Sequence, residues 1–327
     1  MKPLVLVAFS EYGDKTVENE ILTRELDAQI VYARSIMEPE ARELAKRADA
    51  IACTVENYSA GLLATLENCK ILSRFGTGLD NIDLDAAAEH GIWVTNVPDA
   101  FVEEVSTHTI ALILTCNRHL FSLMSASRQG HWDKTNLNIS RLSSQTLGLI
   151  GFGRIARLTA QKARGMGLNV VAYDAYVEEG VFTAHAVKSV SLEQLLRNSD
   201  YVSLHVPATA TTRCMINAGN LAWMKPSAYL INTSRGALID EDALLAAVRS
   251  NQIAGAALDV RSIEPPSMDD PLLREEHILV TPHMAWCSLE ASRQLRERAC
   301  MEIVRVLRGE KPENPANSPK PKIFKPG

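Results

Sequence analysis

Leu147-Gly148-Leu149-Ile150-Gly151-Phe152-Gly153-Arg154-Ile155-Ala156 decides how this chain is read. The short apolar run predicts a buried strand, and Gly151 and Gly153 permit a tight turn into a helix that opens at Arg154. Such a turn lets the backbone approach a diphosphate closely, with the N–H groups and positive dipole end of the helix aimed at it. The next apolar run, Asn169-Val170-Val171-Ala172-Tyr173-Asp174, ends in an acid twenty-one residues after Gly153. A carboxylate at that distance accepts hydrogen bonds from the hydroxyls of an adenine ribose. Asp174 would repel a 2′-phosphate, which favours NAD over NADP; a plain turn acid is the alternative.

Outward from this turn, short apolar runs alternate with helical patterns. Strands are expected over residues 147–151, 170–174, 201–206, 228–233, 255–260 and 277–281, with helices over 154–167, 192–198, 218–224 and 240–251. His205-Val206-Pro207 and Asn232-Thr233-Ser234 close two of the strands and belong on the carboxyl edge of the sheet, where open α/β sheets bind ligands. Upstream, the runs 4–9, 29–33, 50–55, 70–75 and 93–97 alternate with helix-like stretches at 38–49, 59–69 and 84–90. Alternation of this kind indicates parallel sheets covered on both faces. A proline-free stretch over 101–130 reads as one long helix joining the two series. Near the C-terminus, Ser288 caps a helix over 289–307 that ends at Gly309 and buries Leu295, Ala299, Ile303 and Val306 or Leu307. The proline- and lysine-rich tail from Lys311 is expected to be extended or frayed.

Composition narrows the function. A chain of 327 residues has room for two cores, and 46% hydrophobic with 22% charged residues is ordinary globular material. A net charge of −5 argues against nucleic acid, whose binders carry a basic footprint. The six cysteines lack metal-ligand spacing, so no metal site is expected and a reducing, cytoplasmic setting is. The apolar run after Met1 is too short for a secretion signal or a membrane span.

Three further residues supply chemistry. Arg235, Glu264 and His283 stand in Ser234-Arg235-Gly236, Glu264-Pro265-Pro266 and Thr281-Pro282-His283, each where a strand or loop should end. Reduction of a 2-oxo acid requires a grip on the carboxylate, a proton for the carbonyl oxygen and an aimed hydride. Arginine meets a carboxylate with a planar fork. Histidine titrates near working pH, and a carboxylate beside it fixes its tautomer. Singly, each has a plain alternative as a surface charge, a loop acid or a turn histidine.

With these residues in place, the chain resembles the D-isomer-specific 2-hydroxyacid dehydrogenases over nearly its whole length. The likeness rests on Arg74-Phe75-Gly76-Thr77-Gly78-Leu79-Asp80-Asn81-Ile82-Asp83, the glycine turn, Asn232-Thr233-Ser234-Arg235-Gly236, Gly255-Ala256-Ala257-Leu258-Asp259-Val260 with Glu264-Pro265, and Thr281-Pro282-His283. It implies an α/β fold of two doubly wound parallel-sheet domains: a Rossmann NAD-binding domain (99–287) inserted into a discontinuous flavodoxin-like substrate domain (1–98 and 288–327). It implies that Arg235 binds the substrate carboxylate and that His283, paired with Glu264, is the general acid and base. Arg74, Gly76, Thr77 and Trp286 would complete the substrate site. Thr77, Thr109, Gly151, Phe152, Gly153, Arg154, Ile155, Asp174, His205, Val206, Pro207, Thr211, Thr233, Ser234, Arg235, Asp259, His283 and Ala285 would line NAD. A homodimer joined through the cofactor domain is also implied.

Within the family, His283-Met284-Ala285-Trp286 and Val102-Glu103-Glu104 look most like the C-terminal-binding protein branch. Trp286 either lines the substrate pocket, favouring apolar side chains, or anchors the last helix. Two functions follow: an NAD-dependent D-2-hydroxyacid dehydrogenase, or an NAD(H)-responsive dimeric scaffold with vestigial catalysis. Arg261 departs from the pattern, standing where an aromatic residue commonly follows Asp-Val. Glu264 argues against formate dehydrogenase. With no regulatory domain after the last helix, a shorter relative than the serine-regulated phosphoglycerate dehydrogenases is expected.

Overall fold

A computed structural model describes residues 2–8, 14–132 and 139–320. The chain divides into two compact units, residues 1–100 with 288–327, and residues 101–287. In the first unit the order is β1 (Leu4–Ala8), α1 (Thr16–Leu26), β2 (Gln29–Ala33), α2 (Pro39–Arg47), β3 (Ala50–Cys53), α3 (Ala60–Leu63), β4 (Ile71–Arg74), α4 (Leu84–Glu89) and β5 (Trp93–Thr95). The second unit runs through α5 (Val102–Asn117), α6 (Leu120–Arg128), β6 (Thr146–Ile150), α7 (Arg154–Gly165), β7 (Asn169–Tyr173), α8 (Glu179–Ala184), β8 (Lys188–Ser189) and α9 (Leu192–Asn198). It continues with β9 (Tyr201–Leu204), α10 (Ala218–Leu221), β10 (Tyr229–Asn232), α11 (Glu241–Arg249), β11 (Gly255–Leu258) and β12 (Ile278–Val280). The chain then returns to the first unit as α12 (Leu289–Leu307).

Among the described residues, the first unit holds a five-stranded parallel sheet in the order β2-β1-β3-β4-β5, the flavodoxin-like arrangement. Leu6, Ile51, Leu72 and Val94 pack on one face with Ile36, Ala45, Tyr58 and Leu63. Helices α1 and α12 pack together, and α12 lies along β3 and β4 with Leu295, Ala299 and Ile303 buried. A buried ion pair between Arg296 and Glu18 ties those two helices.

The second unit holds seven parallel strands in the order β12-β11-β10-β9-β6-β7-β8. The order reverses between β6 and β9, so the carboxyl ends of those strands form the switch point where doubly wound sheets bind ligands. Both faces are covered. Ile150, Val202, Leu204, Leu230 and Leu258 face Leu195, Leu196, Leu221, Leu244 and Val248. Leu147, Leu149, Ile231 and Ala257 face Ile113, Ala160 and Ala163 on α5 and α7.

Several elements differ from the sequence expectation. The stretch 101–130 is two helices, broken at Arg118-His119, where His119 takes a positive φ of 51°. Periodicity continues across the break, so it left no sign in the apolar pattern. The helix expected over 59–69 shrinks to the single turn of α3. Helices α1 and α8 and the two-residue strand β8 were not anticipated. The tail, expected to be extended or frayed, forms no helix or strand over 311–320 but is pinned as far as Lys320. Ala316 N–H donates to Val94 O (2.8 Å), Asn317 Oδ1 accepts from Val94 N–H (2.9 Å), and Lys320 N–H donates to Ala88 O (2.9 Å). Phe9, expected to end the first strand, and the last seven residues lie outside the described residues.

Candidate active site

The glycine turn leaves β6 and caps α7. Gly151 has φ +94°, and a Cβ there would lie 2.7 Å from His205 O and 2.9 Å from Val206 Cγ1. Only glycine meets both demands. Gly153 is the N-cap of α7; no side chain caps that helix end, and a Cβ at Gly153 would meet nothing within 4 Å. The mouth of α7 therefore offers N–H groups and room, which suits the diphosphate of a dinucleotide. Asp174, just past β7, accepts from Phe152 N–H through Oδ2 (2.8 Å) and from Tyr176 N–H through Oδ1 (2.9 Å). The Phe152 ring is fully buried and stacks on Phe182 with centroids 4.7 Å apart, so its side chain belongs to the core and not to a ligand surface. Arg154 and Ile155 open α7.

His205 follows β9. Its Nε2 lies 2.9 Å from Ser203 Oγ, and burial pushes its pKa down to about 4, so the ring is neutral although the residue keeps some exposed surface. The following loop is held by Thr212 Oγ1 donating to Pro207 O (2.6 Å), while Thr211 is exposed beside Thr209 (3.0 Å between hydroxyls). Thr109 on α5 is buried; its hydroxyl donates to Val105 O (2.8 Å) and lies 3.0 Å from Thr233 Oγ1 after β10. Thr109 thus supports Thr233 from behind. In the first unit, Arg74 folds over its own loop, with Nε donating to Gly78 O (3.0 Å) and Nη1 to Phe75 O (3.3 Å). A Cβ at Gly76 would lie 3.1 Å from Arg74 Nη1, and Thr77 Oγ1 donates to Val97 O (3.1 Å).

Arg235, Asp259 and His283 follow β10, β11 and β12, all on the carboxyl edge that carries the glycine turn. Arg235 Nη1 donates to Ser234 O (2.8 Å), and its backbone is extended at φ −145°. His283 Nδ1 and Glu264 Oε2 lie 2.6 Å apart. Partial burial raises the Glu264 pKa, but hydrogen bonds from His283 and Arg261 N–H, with the His283 and Arg235 charges, outweigh it and leave the carboxyl below its ordinary value. The dependence of Glu264 on the Arg235 charge places all three groups in one electrostatic neighbourhood.

Asp259 is buried and its carboxylate is occupied. Oδ1 accepts from Thr281 Oγ1 (2.5 Å) and Met284 N–H (2.9 Å), and Oδ2 from Ala285 N–H (2.8 Å). His283 N–H donates to Asp259 O (2.8 Å), and His108 Nε2 stands 3.6 Å from Oδ1. Asp259 therefore staples the histidine-bearing loop. Trp286 meets Phe101 edge-on, with ring centroids 5.6 Å apart.

Sequence reasoning did not find the roles of Thr281, His108 and Glu241. Glu241 read only as a favourable acid in a first helical turn; in the structure it also binds Arg261. Arg261 itself, which stands where an aromatic residue commonly follows Asp-Val, is buried between Glu241 and Asp270. A shallow pocket lined by Thr115, Cys116, His119, Phe121, Tyr229 and His277 opens at the amino ends of β10 and β12, the edge opposite the acid–base pair.

The chain is similar to known proteins. Residues 110–285 match the family described as "D-isomer specific 2-hydroxyacid dehydrogenase, NAD binding domain". A D-3-phosphoglycerate dehydrogenase of Methanocaldococcus jannaschii is 35% identical over 94% of this chain and 59% of the relative, so the chain spans little more than half that protein's length. A glyoxylate reductase of Korarchaeum cryptofilum is 35% identical over 87% of each chain. Among solved structures, D-lactate dehydrogenase from Aquifex aeolicus complexed with NAD and lactic acid superposes with a TM-score of 0.85 at 29% identity, covering 94% of this chain and 96% of the other.

Proposed function

Because this chain belongs to the D-isomer specific 2-hydroxyacid dehydrogenase family, we propose that it interconverts a small 2-oxo acid and its D-2-hydroxy acid with NAD(H). The observation that carries the reading is the 2.6 Å contact of His283 Nδ1 with Glu264 Oε2, beside Arg235 and on the sheet edge that bears the glycine turn. Bound NADH supplies the hydride at the substrate carbon. Arg235 grips the carboxylate and polarises the carbonyl with its fixed positive charge. With Nδ1 committed to Glu264, His283 uses Nε2 to deliver a proton to the carbonyl oxygen and recovers it in the oxidative direction. Glu264, held ionised, stabilises the imidazolium and fixes the ring. Asp259 keeps the His283 loop in place, and Asp174 receives the adenine ribose.

The partner in solution is a second copy of the chain. Helix α6 has no buried residue and exposes Leu120, Phe121 and Met124, an apolar face suited to a homodimer contact. No described helix is long and apolar enough to cross a membrane, and all six cysteines are free, in keeping with a cytoplasmic site of action.

The test is NADH oxidation followed by absorbance with a panel that includes glyoxylate, hydroxypyruvate, pyruvate and 4-methylthio-2-oxobutyrate. At least one acid is expected to turn over, with His283→Ala losing turnover and keeping NADH binding. Tight NADH binding with no turnover of any acid overturns the enzymatic reading in favour of the scaffold.

A further inference from the structure

The Arg261 guanidinium is almost fully buried, with 4% of the side chain exposed, and carries two acids. Nε and Nη2 donate to Glu241 at 3.0 and 3.1 Å, and Nη2 also donates to Asp270 at 2.9 Å. Glu241, at the start of α11, further accepts from Ser262 N–H (2.9 Å) and Ser262 Oγ (2.6 Å). The backbone N–H of Arg261 donates to Glu264 Oε1 at 2.7 Å, while Glu264 Oε2 faces His283. The same turn is pressed against the residue after Arg235: a Cβ at Gly236 would fall 1.9 Å from Arg261 C and 2.2 Å from Ser262 N.

Stability is a weak explanation for this arrangement. A buried ion pair pays a desolvation penalty that well-packed apolar side chains avoid, and Arg261 Nη1 is buried with no hydrogen-bond partner. What the network supplies is position. Held at Arg261 and Ser262, the turn over 261–264 presents one N–H to one oxygen of Glu264 and leaves the other for the imidazole.

Building on the acid–base reading above, we propose that Arg261 is a positioning residue of the reaction, which through Glu241 and Asp270 fixes the Glu264 carboxylate on His283. The charged groups around Glu264 are His283, Arg235 and Arg261, with Glu241 and Asp270 behind Arg261, and with Asp259 after β11 and His108 on α5 packed against the His283 loop. Arg261 N–H is one of the bonds that hold the Glu264 carboxyl ionised. Loosening the turn therefore eases protonation of Glu264, and the acid limb of 2-oxo acid reduction moves to higher pH.

The experiment compares Arg261→Met, Arg261→Lys and Glu241→Gln, alone and in a Glu264→Gln background, with NADH affinity and near-ultraviolet circular dichroism as checks on folding. Arg261→Met is expected to lower kcat about tenfold and raise the acid limb, with Arg261→Lys in between. In the Glu264→Gln background it should cost less than about twofold, because its route of action is already gone. An unmoved acid limb, or an equal cost in both backgrounds, overturns the proposal and leaves Arg261 a structural residue. Should Arg261→Met fail to fold, Glu241→Gln decides by the same criteria. If the wild-type protein turns over no 2-oxo acid, the catalytic reading fails separately. Carbon NMR titration of Glu264 in the NADH-bound protein then decides, an upward move in Glu241→Gln supporting the positioning and no move refuting it.

Discussion

Phe152 N–H donates to Asp174 Oδ2 at 2.8 Å, so the glycine turn and the end of the neighbouring strand are joined by one charge-assisted hydrogen bond. Asp174 thereby serves two purposes. It fixes the turn through one oxygen, and its charge stands where an adenine ribose is expected.

Asp174→Ala should raise the Kd for NADH about tenfold or more, the loss of a charge-assisted hydrogen bond of roughly 1.5–3 kcal/mol. The Kd for NADPH should change less, because a repulsion is removed along with the bond. Fluorescence titration with both nucleotides measures the ratio; an unchanged NADH/NADPH preference would remove Asp174 from ribose recognition.

Gly151→Ala puts a methyl group 2.7 Å from His205 O on a backbone at φ +94°. Strain and overlap together should destabilise the protein by about 2–4 kcal/mol and weaken NADH binding, because the turn and the end of β9 must move apart. Thermal unfolding and nucleotide titration together check this. Gly153→Ala is the informative contrast: with open space at that Cβ, it should spare stability and still hinder NADH at the mouth of α7.

Asp259→Ala leaves Met284 and Ala285 N–H without their carboxylate and frees the Thr281 hydroxyl. We expect a loss of about 2–4 kcal/mol of stability. Turnover should fall about a hundredfold, since the loop bearing His283 loses its staple while NADH binding survives. Steady-state kinetics beside urea unfolding separates the two effects; full activity in the folded variant would contradict the staple role.

His205 contributes to the expected acid sensitivity. Its folded-state pKa of about 4 lies below the ordinary 6.5, so the unfolded chain takes up a proton that the folded protein refuses. Stability is complete above pH 6.5 and declines as pH falls towards 4, by roughly 3 kcal/mol in full. His205→Asn should flatten the dependence of Tm on pH across that window. An unchanged slope would show that the ring is hydrated in solution.

The α/β architecture was legible because its signals are local. Apolar runs of strand length separated by helical periods report a buried parallel sheet, and the boundaries of α12, from Ser288 to Gly309, followed from cap chemistry. Where two causes competed, the pattern misled. The apolar period runs straight across Arg118-His119, and the break there is a backbone event that periodicity does not register. The tail after Lys311 has the composition of a frayed end, yet Asn317 finds the backbone of Val94 and Ile92. Composition counts apolar burial and is blind to such backbone partners.

The sequence by itself determined the residue types of the site and their order along the chain: a glycine turn, an acid one strand later, then arginine, glutamate and histidine at successive strand or loop ends. The family resemblance already implied the pairing of Glu264 with His283; the tertiary structure shows that contact and alone decided the other partners. Glu264 meets His283, Asp259 holds the loop of Met284 and Ala285, and Arg261 turns inward to Glu241 and Asp270, because parallel pairing of β10, β11 and β12 brings distant strand ends side by side. Side-chain hydrogen bonds act over about 3 Å and depend on which strands become neighbours. That adjacency is a property of the whole sheet, and no local stretch encodes it.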